Sequence, residues 1–261
     1  NWGGQALHSR GNFEGFNKVA SKEKWLEVHG LEHWTEFYTD YGIELQKRFF
    51  GYYLKDEQNG WQNQPKVSIQ VRYPNDKFEL RDENEWPLKN TSWTKFYLSP
   101  DELSLEEESK EVNSKLSYNN LGDGITFMTG SFSEDTEITG PIASKLFISS
   151  ETEDTDLFLI ARLFNEQQQE VTFQGALDPK TPLAQGWLRA SHRRIDNDLS
   201  KPYRPYHTHD KVELLIPEKD YEVDIEIWPT SIVVPKEYRI GLTIKGQDYV
   251  NHSGGGSTLP N

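Results

Sequence analysis

The sequence has no cysteine, no long apolar run and a shortage of basic residues. Without cysteine, a disulfide-stapled scaffold, a zinc ribbon or finger, and thiol catalysis are all excluded. No apolar run approaches the roughly 18 residues that a membrane-spanning helix needs, so we expect no membrane partner. The 28 Lys and Arg against 42 Asp and Glu give a net charge of −14. Because such a charge repels polyanions, we expect no nucleic-acid partner.

Aromatic residues are the abundant core-forming material. They make up 13% of the 261 residues, with eight Trp, whereas all hydrophobic types together reach only 34%. Large flat side chains can fill a core when aliphatic ones are scarce. The length allows about two domains.

Both ends of the sequence look cut. The start, Asn1-Trp2-Gly3-Gly4, contains no initiator Met and neither the basic nor the apolar segment of a targeting signal. The end, from His252 to Ser257, is a flexible polar run rich in glycine. We therefore expect a piece of a longer protein. The compartment stays open, with the cytoplasm slightly favoured.

The first 60 residues have the pattern of a mixed α/β fragment. Apolar residues spaced by three over residues 13–19 predict a short amphipathic helix, and alternation over residues 24–28 predicts a strand. Thr39 or Asp40 can cap a second helix, which we expect to run through Leu54.

From about residue 65 the apolar pattern alternates with a period of two, as is typical of strands. Turn residues separate the segments, among them Gly122-Asp123-Gly124 and Thr139-Gly140-Pro141. Since no helical pattern intervenes, we expect a mainly β fold, a β-sandwich or jelly roll. The acidic run 101–111 predicts a solvated loop. The predicted strands cover residues 67–71, 94–98, 125–128, 144–148, 156–163, 222–227 and 238–244.

No catalytic nucleophile can be assigned within this chain. Cysteine is absent, and so is a Gly-x-Ser-x-Gly elbow, which would present a serine on a strand-to-helix turn. His29 and His33 follow the predicted strand 24–28, at the edge where α/β enzymes place site residues. The alternative is that both are loop histidines bonded to the backbone.

His207 and His209, with Asp210 beside them, have a spacing found in some metal sites, because alternate residues of an extended segment share one face. The surrounding residues are rich in Pro and Tyr, which favours a structural or interfacial loop, so we expect no metal. Ser191-His192 is not a catalytic pair, since adjacent strand side chains point to opposite faces.

Four motifs mark the second half of the chain: GWLRASHR at 186–193, PYRPYHTH at 202–209, IEIWPTSIV at 225–233 and YRIGLTIKGQD at 238–248. In this order they resemble the carboxyl-terminal domain of the CocE/NonD hydrolases. These are serine hydrolases related to cocaine esterase, α-amino-acid ester hydrolases, glutaryl-cephalosporin acylases and X-Pro dipeptidyl-peptidases. Residues 7–30 resemble the last part of that family's α/β-hydrolase domain, so the resemblance spans essentially the whole chain.

The resemblance implies two parts. Residues 1–60 would be the tail of an α/β-hydrolase catalytic domain, and residues 61–261 a galactose-binding-like jelly-roll β-sandwich of the X-Pro dipeptidyl-peptidase C-terminal type. It implies no cofactor. The partners it implies are a small-molecule ester or amide, or a peptide, as substrate, and the remainder of the hydrolase domain. A homo-oligomer is compatible with it.

The resemblance also implies a Ser-His-Asp triad. The family's histidine follows the last strand of the hydrolase domain, which makes His33 the candidate general base, although it lies one residue closer to Gly30 than in the family motif. The acid belongs to a Trp-x-Asp motif, and Trp2-Gly3-Gly4 puts Gly4 at its position. In such an enzyme, loss of the acid leaves the imidazole tautomer unfixed and costs about 10⁴ in turnover. Glu32 and Glu36 are nearby carboxylates.

The motifs carry large amphipathic side chains and arginines that suit a domain interface. For these residues we expect interface and stability roles, not chemistry. They are Trp187, Tyr206, Trp228, Tyr249, Arg189, Arg193 and Arg204.

The sequence thus favours the carboxyl-terminal part of a serine esterase, acylase or peptidase that works through an acyl-enzyme. Its serine would lie upstream of Asn1, and this chain alone would be inactive. The alternative is a non-catalytic module that binds a carbohydrate or a partner protein, which Gly4 and the missing serine elbow favour.

Overall fold

The computed structural model describes residues 1–5, 7–109, 114–176, 178–251 and 255–256. Lys110 and Glu111, at the end of the acidic run, and most of the polar tail from His252 lie outside the described residues. The α-helices are α1 (Ser9–Lys18) and α2 (Asp40–Lys55). The strands are β1 (Leu26–Val28), β2 (Val67–Tyr73), β3 (Lys77–Glu83), β4 (Tyr97–Ser99), β5 (Ser104–Glu106), β6 (Ile125–Met128), β7 (Thr136–Ile148), β8 (Asp156–Phe164), β9 (Glu170–Val171), β10 (Ala184–Arg189), β11 (Tyr221–Val234) and β12 (Arg239–Lys245), with a two-residue pair at Val250–Asn251 and Gly255–Gly256.

Both predicted helices form, and local chemistry explains the bounds of α2. The Thr39 hydroxyl accepts a hydrogen bond from the Gly42 N–H at 3.1 Å, which satisfies one of the unpaired donors of the first turn. Asp40 adds a negative charge where the helix dipole favours it. The helix ends as Asp56 takes a left-handed conformation, with φ of 55°.

The strands form two sheets. In the first, β3 lies on one side of β2, while β1 and β11 both lie on the other side, and β7 follows β11. The second has the order β10-β8-β12-β6-β5-β4, with β9 also paired to β8. The mainly β fold is therefore as predicted. A jelly-roll assignment, and the hydrolase origin of residues 1–60, stay predictions.

The turn predicted at Thr139-Gly140-Pro141 is wrong, because these residues lie inside the continuous strand β7. The paired strand β11 shifts register between Ile227 and Thr230. This bulge in the pairing accommodates Gly140 and Pro141, so the strand continues through them. Gly140 has φ of 138°, a conformation that side-chain-bearing residues rarely adopt.

The two sheets share one apolar core. Inward-facing side chains of β7 and β11 meet those of β6, β8, β10 and β12. This packing makes the domain a β-sandwich in which the alternating pattern of each strand supplies one inner face. The buried members include Leu146, Val223, Ile225 and Ile227 of the first sheet and Phe127, Leu157, Leu159, Ala184, Leu188 and Ile244 of the second.

A second apolar cluster joins the first 60 residues to the sandwich. Trp2, Phe13 and the β1 side chains pack against β2 and Trp86, and β1 pairs in parallel with β2. Residues from both sides of the predicted division at residue 60 thus contribute to one cluster. The division itself stays a prediction. Among the described residues, no helix has the length and apolarity to cross a bilayer.

Candidate functional site

The loop that follows β1 is held against the first residues of the chain. The Trp2 N–H donates to the His29 carbonyl at 2.7 Å, and the Asn1 side-chain amide donates to the Leu31 carbonyl at 2.9 Å. A Cβ at Gly3 would lie 2.0 Å from that Leu31 oxygen, so only glycine permits this approach. These contacts fix the backbone just before His33.

His33 presents an exposed imidazole on this loop. Its ring lies edge-on to the rings of Trp34, at a centroid distance of 4.5 Å, and of His8, at 5.2 Å. Within the described part of the chain, the His33 ring has neither a hydrogen bond nor an ion pair. The candidate base is therefore accessible, but nothing there fixes its tautomer.

Gly4 stands at the position that the family resemblance predicts for the acid, and it carries no carboxylate. Its backbone is buried, and its carbonyl accepts from the N–H groups of Leu7 and His8 at 3.0 and 2.9 Å. A Cβ at Gly4 would lie 2.7 Å from the Asn1 Oδ1 atom. An aspartate at this position would therefore require the Asn1 side chain to move.

The two nearby carboxylates bond to groups other than His33. Glu32 accepts from the Thr35 hydroxyl at 2.7 Å and from the Gln174 amide, and these hydrogen bonds, the Thr35 bond first, lower its pKa. Glu36 begins a short 3₁₀ helix, and its charge raises the pKa of Glu27. Neither carboxylate orients the candidate base.

His29 is half-buried and unsuited to act as a base on substrate. Burial lowers its pKa to about 4, so the ring is neutral at pH 7. Its Nδ1 atom lies 3.8 Å from Glu27 Oε1, beyond hydrogen-bonding distance, and both atoms are buried without a partner. Burial is also the main cause that raises the pKa of Glu27. Of the two predicted site histidines, only His33 faces solvent.

Comparison with known proteins settles the family. Residues 59–255 match the X-Pro dipeptidyl-peptidase C-terminal non-catalytic domain. The chain belongs to this family. The match covers most of the chain and includes all four motifs of its second half, so the resemblance to the carboxyl-terminal part of the CocE/NonD hydrolases is confirmed.

Individual relatives extend the likeness upstream of residue 59. A CocE/NonD family hydrolase from Staphylococcus aureus is 32% identical, with a TM-score of 0.91 over 95% of this chain and 46% of its own. Two mycobacterial proteins, from Mycobacterium bovis and Mycobacterium tuberculosis, carry the name of serine esterase by inference from their sequences. Each is 28% identical over 48% of this chain and 19% of its own length. An α-amino acid ester hydrolase shares the fold, at 13% identity and a TM-score of 0.55 over 78% of this chain and 37% of its own. The chain corresponds to less than half of each of these proteins.

The motif arginines of the X-Pro dipeptidyl-peptidase C-terminal domain make contacts within the chain. Arg189 forms a forked pair with Asp156 at 2.7 and 2.8 Å. Arg193 donates to the Ala190 carbonyl at 3.1 Å and to the Glu213 carbonyl. Each of these arginines stabilises a local turn or strand end.

Helix α1 docks on this domain through polar contacts that sequence reasoning did not find. Arg204 pairs with Glu14 of the helix, and Arg10 pairs with Glu226 of β11 at 2.7 Å. Lys18 lies 4.0 Å above the Tyr206 ring. The sequence shows that these residues are charged, but only the tertiary fold shows which of them form pairs.

The motif aromatics differ in exposure. Tyr249 is buried, whereas Trp187, Tyr206 and Trp228 are partly buried. Trp187 and Trp228 lie edge-on with centroids 5.0 Å apart, which links β10 of one sheet to β11 of the other. The contact is a sheet-to-sheet packing interaction within this domain.

Proposed function

We propose that this chain is the carboxyl-terminal part of a serine hydrolase that cleaves an ester or amide bond through an acyl-enzyme. The nucleophilic serine would lie in another part of the longer protein, and His33 would be its general base. Residues 59–255 would form the non-catalytic domain that packs on the catalytic one.

One observation carries this proposal. The 32% identity to the Staphylococcus aureus CocE/NonD hydrolase extends over 95% of this chain, so it includes residues upstream of the family domain as well as the domain itself. The upstream part contains β1, its loop and His33. An unrelated protein carrying only the non-catalytic domain would not share that segment.

The geometry of the loop suits a general base. In acyl transfer the imidazole accepts the serine proton during attack and returns it to the leaving group. His33 is exposed to solvent, and the loop before it is held by Asn1 and Trp2. Since Gly4 supplies no carboxylate, a carboxylate from the longer protein would be needed to complete the triad.

The surface beside His33 supports the remainder of the hydrolase domain as partner. Trp34, Phe37 and Tyr38 are 44%, 53% and 72% exposed. Large apolar side chains clustered on a surface mark an interaction site. We propose that the missing catalytic domain covers them and brings the serine and the substrate toward His33.

Covalent labelling tests this function. A fluorophosphonate probe should label a serine of the longer gene product outside residues 1–261, and the purified 261-residue chain should stay unlabelled and fail to turn over a nitrophenyl ester. Labelling of the 261-residue chain, or ester turnover by that chain that is abolished in His33→Ala, would contradict the assignment.

A non-catalytic binding module is the second candidate, since His33 has no carboxylate partner among the described residues. An aromatic pair gives it a surface: Trp93 stacks on Tyr203 with centroids 4.1 Å apart, and Trp93 is 50% exposed. Flat exposed rings suit the faces of sugars. If the longer gene product shows no probe labelling, and glycan binding is lost in Trp93→Ala, this second function replaces the first.

A further inference from the structure

Two histidine motifs that lie apart in the sequence meet in the fold. His192 ends the short 3₁₀ helix Ala190–His192 that follows β10, and His207 and His209 lie on the loop that leads to β11. The Nδ1 atoms of His192 and His209 are 3.3 Å apart. The His207 and His209 rings have centroids 5.9 Å apart. Three imidazoles thus share one small surface.

The distance between the two Nδ1 atoms fits two ligands of one metal ion. Without a metal, the two rings share a hydrogen bond of 3.3 Å between these atoms, and the tautomers decide which ring donates. Two nitrogens bound to tetrahedral zinc, each at about 2.0–2.1 Å, lie about 3.3 Å from each other. The His192 and His209 rings are therefore already at the ligand spacing.

His207 has the supporting contact that metal-binding histidines commonly make. Its Nε2 atom lies 2.9 Å from the Asp224 carbonyl oxygen, which can only accept, so Nε2 carries the proton. That tautomer leaves Nδ1 with a free electron pair.

Three cationic side chains near the site have other partners. Arg10, whose charge acts on His207, pairs with Glu226 at 2.7 Å. Arg194 lies 3.6 Å from Asp210, which also accepts from the Thr208 hydroxyl. Arg193 is directed away, toward the Glu213 carbonyl and the Tyr221 ring. The chain as a whole carries a net charge of −14, which attracts cations.

In the part of the chain that the structure describes, no three His, Asp or Glu side chains already converge on one point. The pair His192 and His209 would therefore bind first, and water or a small turn of the His207 ring would complete the coordination.

We propose that His192 and His209 bind a divalent transition metal ion of the zinc class through their Nδ1 atoms, with His207 as the third imidazole. The bound ion would tie the loop before β11 to the end of β10, as a structural site. The proposal is independent of the hydrolase function. It departs from our expectation of no metal. That expectation considered only His207 and His209, whereas the fold brings His192 beside them.

Calorimetry with ZnCl₂ on the chain purified without a histidine tag tests the site. We expect one ion per chain and a rise in melting temperature. His192→Gln and His209→Gln should each weaken binding about 10-fold or more, and His207→Gln should weaken it less. His33→Gln is the matched control, because His33 lies beside His8 in a histidine pair outside the proposed site. This variant should leave zinc affinity unchanged.

Two results would overturn the proposal. One is no heat of binding and no melting shift at millimolar zinc. The other is an affinity in the His192→Gln/His209→Gln double variant equal to that of the unaltered chain. His209 is exposed, so His209→Gln should fold normally and keeps the test valid if His192→Gln does not.

Discussion

The sandwich and the first 60 residues differ in how completely they bury their apolar side chains. In β8, Leu159 and Leu163 are fully buried, each at 0% exposure. In α2, Phe50 and Leu54 are 51% and 74% exposed, although the adjoining face of the helix packs Phe49 near Trp25 and Trp61. The core between the two sheets is closed by residues of the sandwich alone, whereas α2 is covered on one side only.

The difference matters for function. The exposed side of α2 belongs to the same segment that carries the loop with His33. A helix that is apolar on two sides usually packs between two layers. The first 60 residues therefore have the character of a shared boundary, with the sandwich on one side and, on our proposal, the catalytic domain on the other.

A matched pair of leucine truncations should show the largest contrast. Leu159→Ala should lower the unfolding free energy by about 2–5 kcal/mol, because it leaves a cavity in the sandwich core. Leu54→Ala should change it by no more than about 0.5 kcal/mol. Urea titrations of the two variants measure both values. Equal losses would show that α2 is covered in solution by something within this chain.

The half-buried His29 should make stability depend on pH. Because burial lowers its folded pKa to about 4 from 6.5, the folded state resists protonation between these values. Its contribution is complete above pH 6.5 and is lost as pH falls toward 4. We expect the difference in unfolding free energy between the unaltered chain and His29→Gln to change by about 3 kcal/mol across that window. A difference that stays constant would show that the ring is not buried.

The docking of α1 gives the smallest expected effect. Arg10→Met removes the partner of Glu226, whose side chain is only 11% exposed, and should cost about 1–2 kcal/mol with faster hydrogen exchange in α1. Lys47→Met is the control, since its pair with Glu44 is exposed on both sides and should contribute less than about 0.5 kcal/mol. If the two losses match, the ion pair does not anchor the helix.

Alternation in the sequence predicted most of the long strands, because in a half-buried strand every second side chain is buried and apolar. Among the longer strands it missed β3 and β10, and the acidic run predicted as a solvated loop contains the short strand β5 with Leu105 buried. In the edge strand β3, charged Lys77, Glu79 and Arg81 alternate with only two apolar residues before Asp82 ends the pattern, so the signal is short. In β10, Gly186 resembles a strand breaker, but a Cβ there would lie 2.1 Å from the Glu226 carbonyl oxygen of the facing sheet. Only the tertiary packing reveals why this glycine stands inside a strand.

The candidate site was predictable only in part. A histidine after a strand indicated His33, and the family motif indicated the empty acid position at Gly4. The contact of His33 with His8 spans 25 positions, and that of His192 with His209 spans 17. No local periodicity encodes such pairs, since they depend on how loops from different elements meet.

The most direct test of the central claim is the turnover of the longer gene product with and without His33. If His33 is the general base, His33→Gln should lower kcat for a nitrophenyl ester by about 10³-fold or more, with KM nearly unchanged and the fold intact. His8→Gln, which removes the neighbouring ring, should have a much smaller effect. A His33→Gln enzyme that keeps its full kcat would show that the base lies elsewhere and would contradict the account.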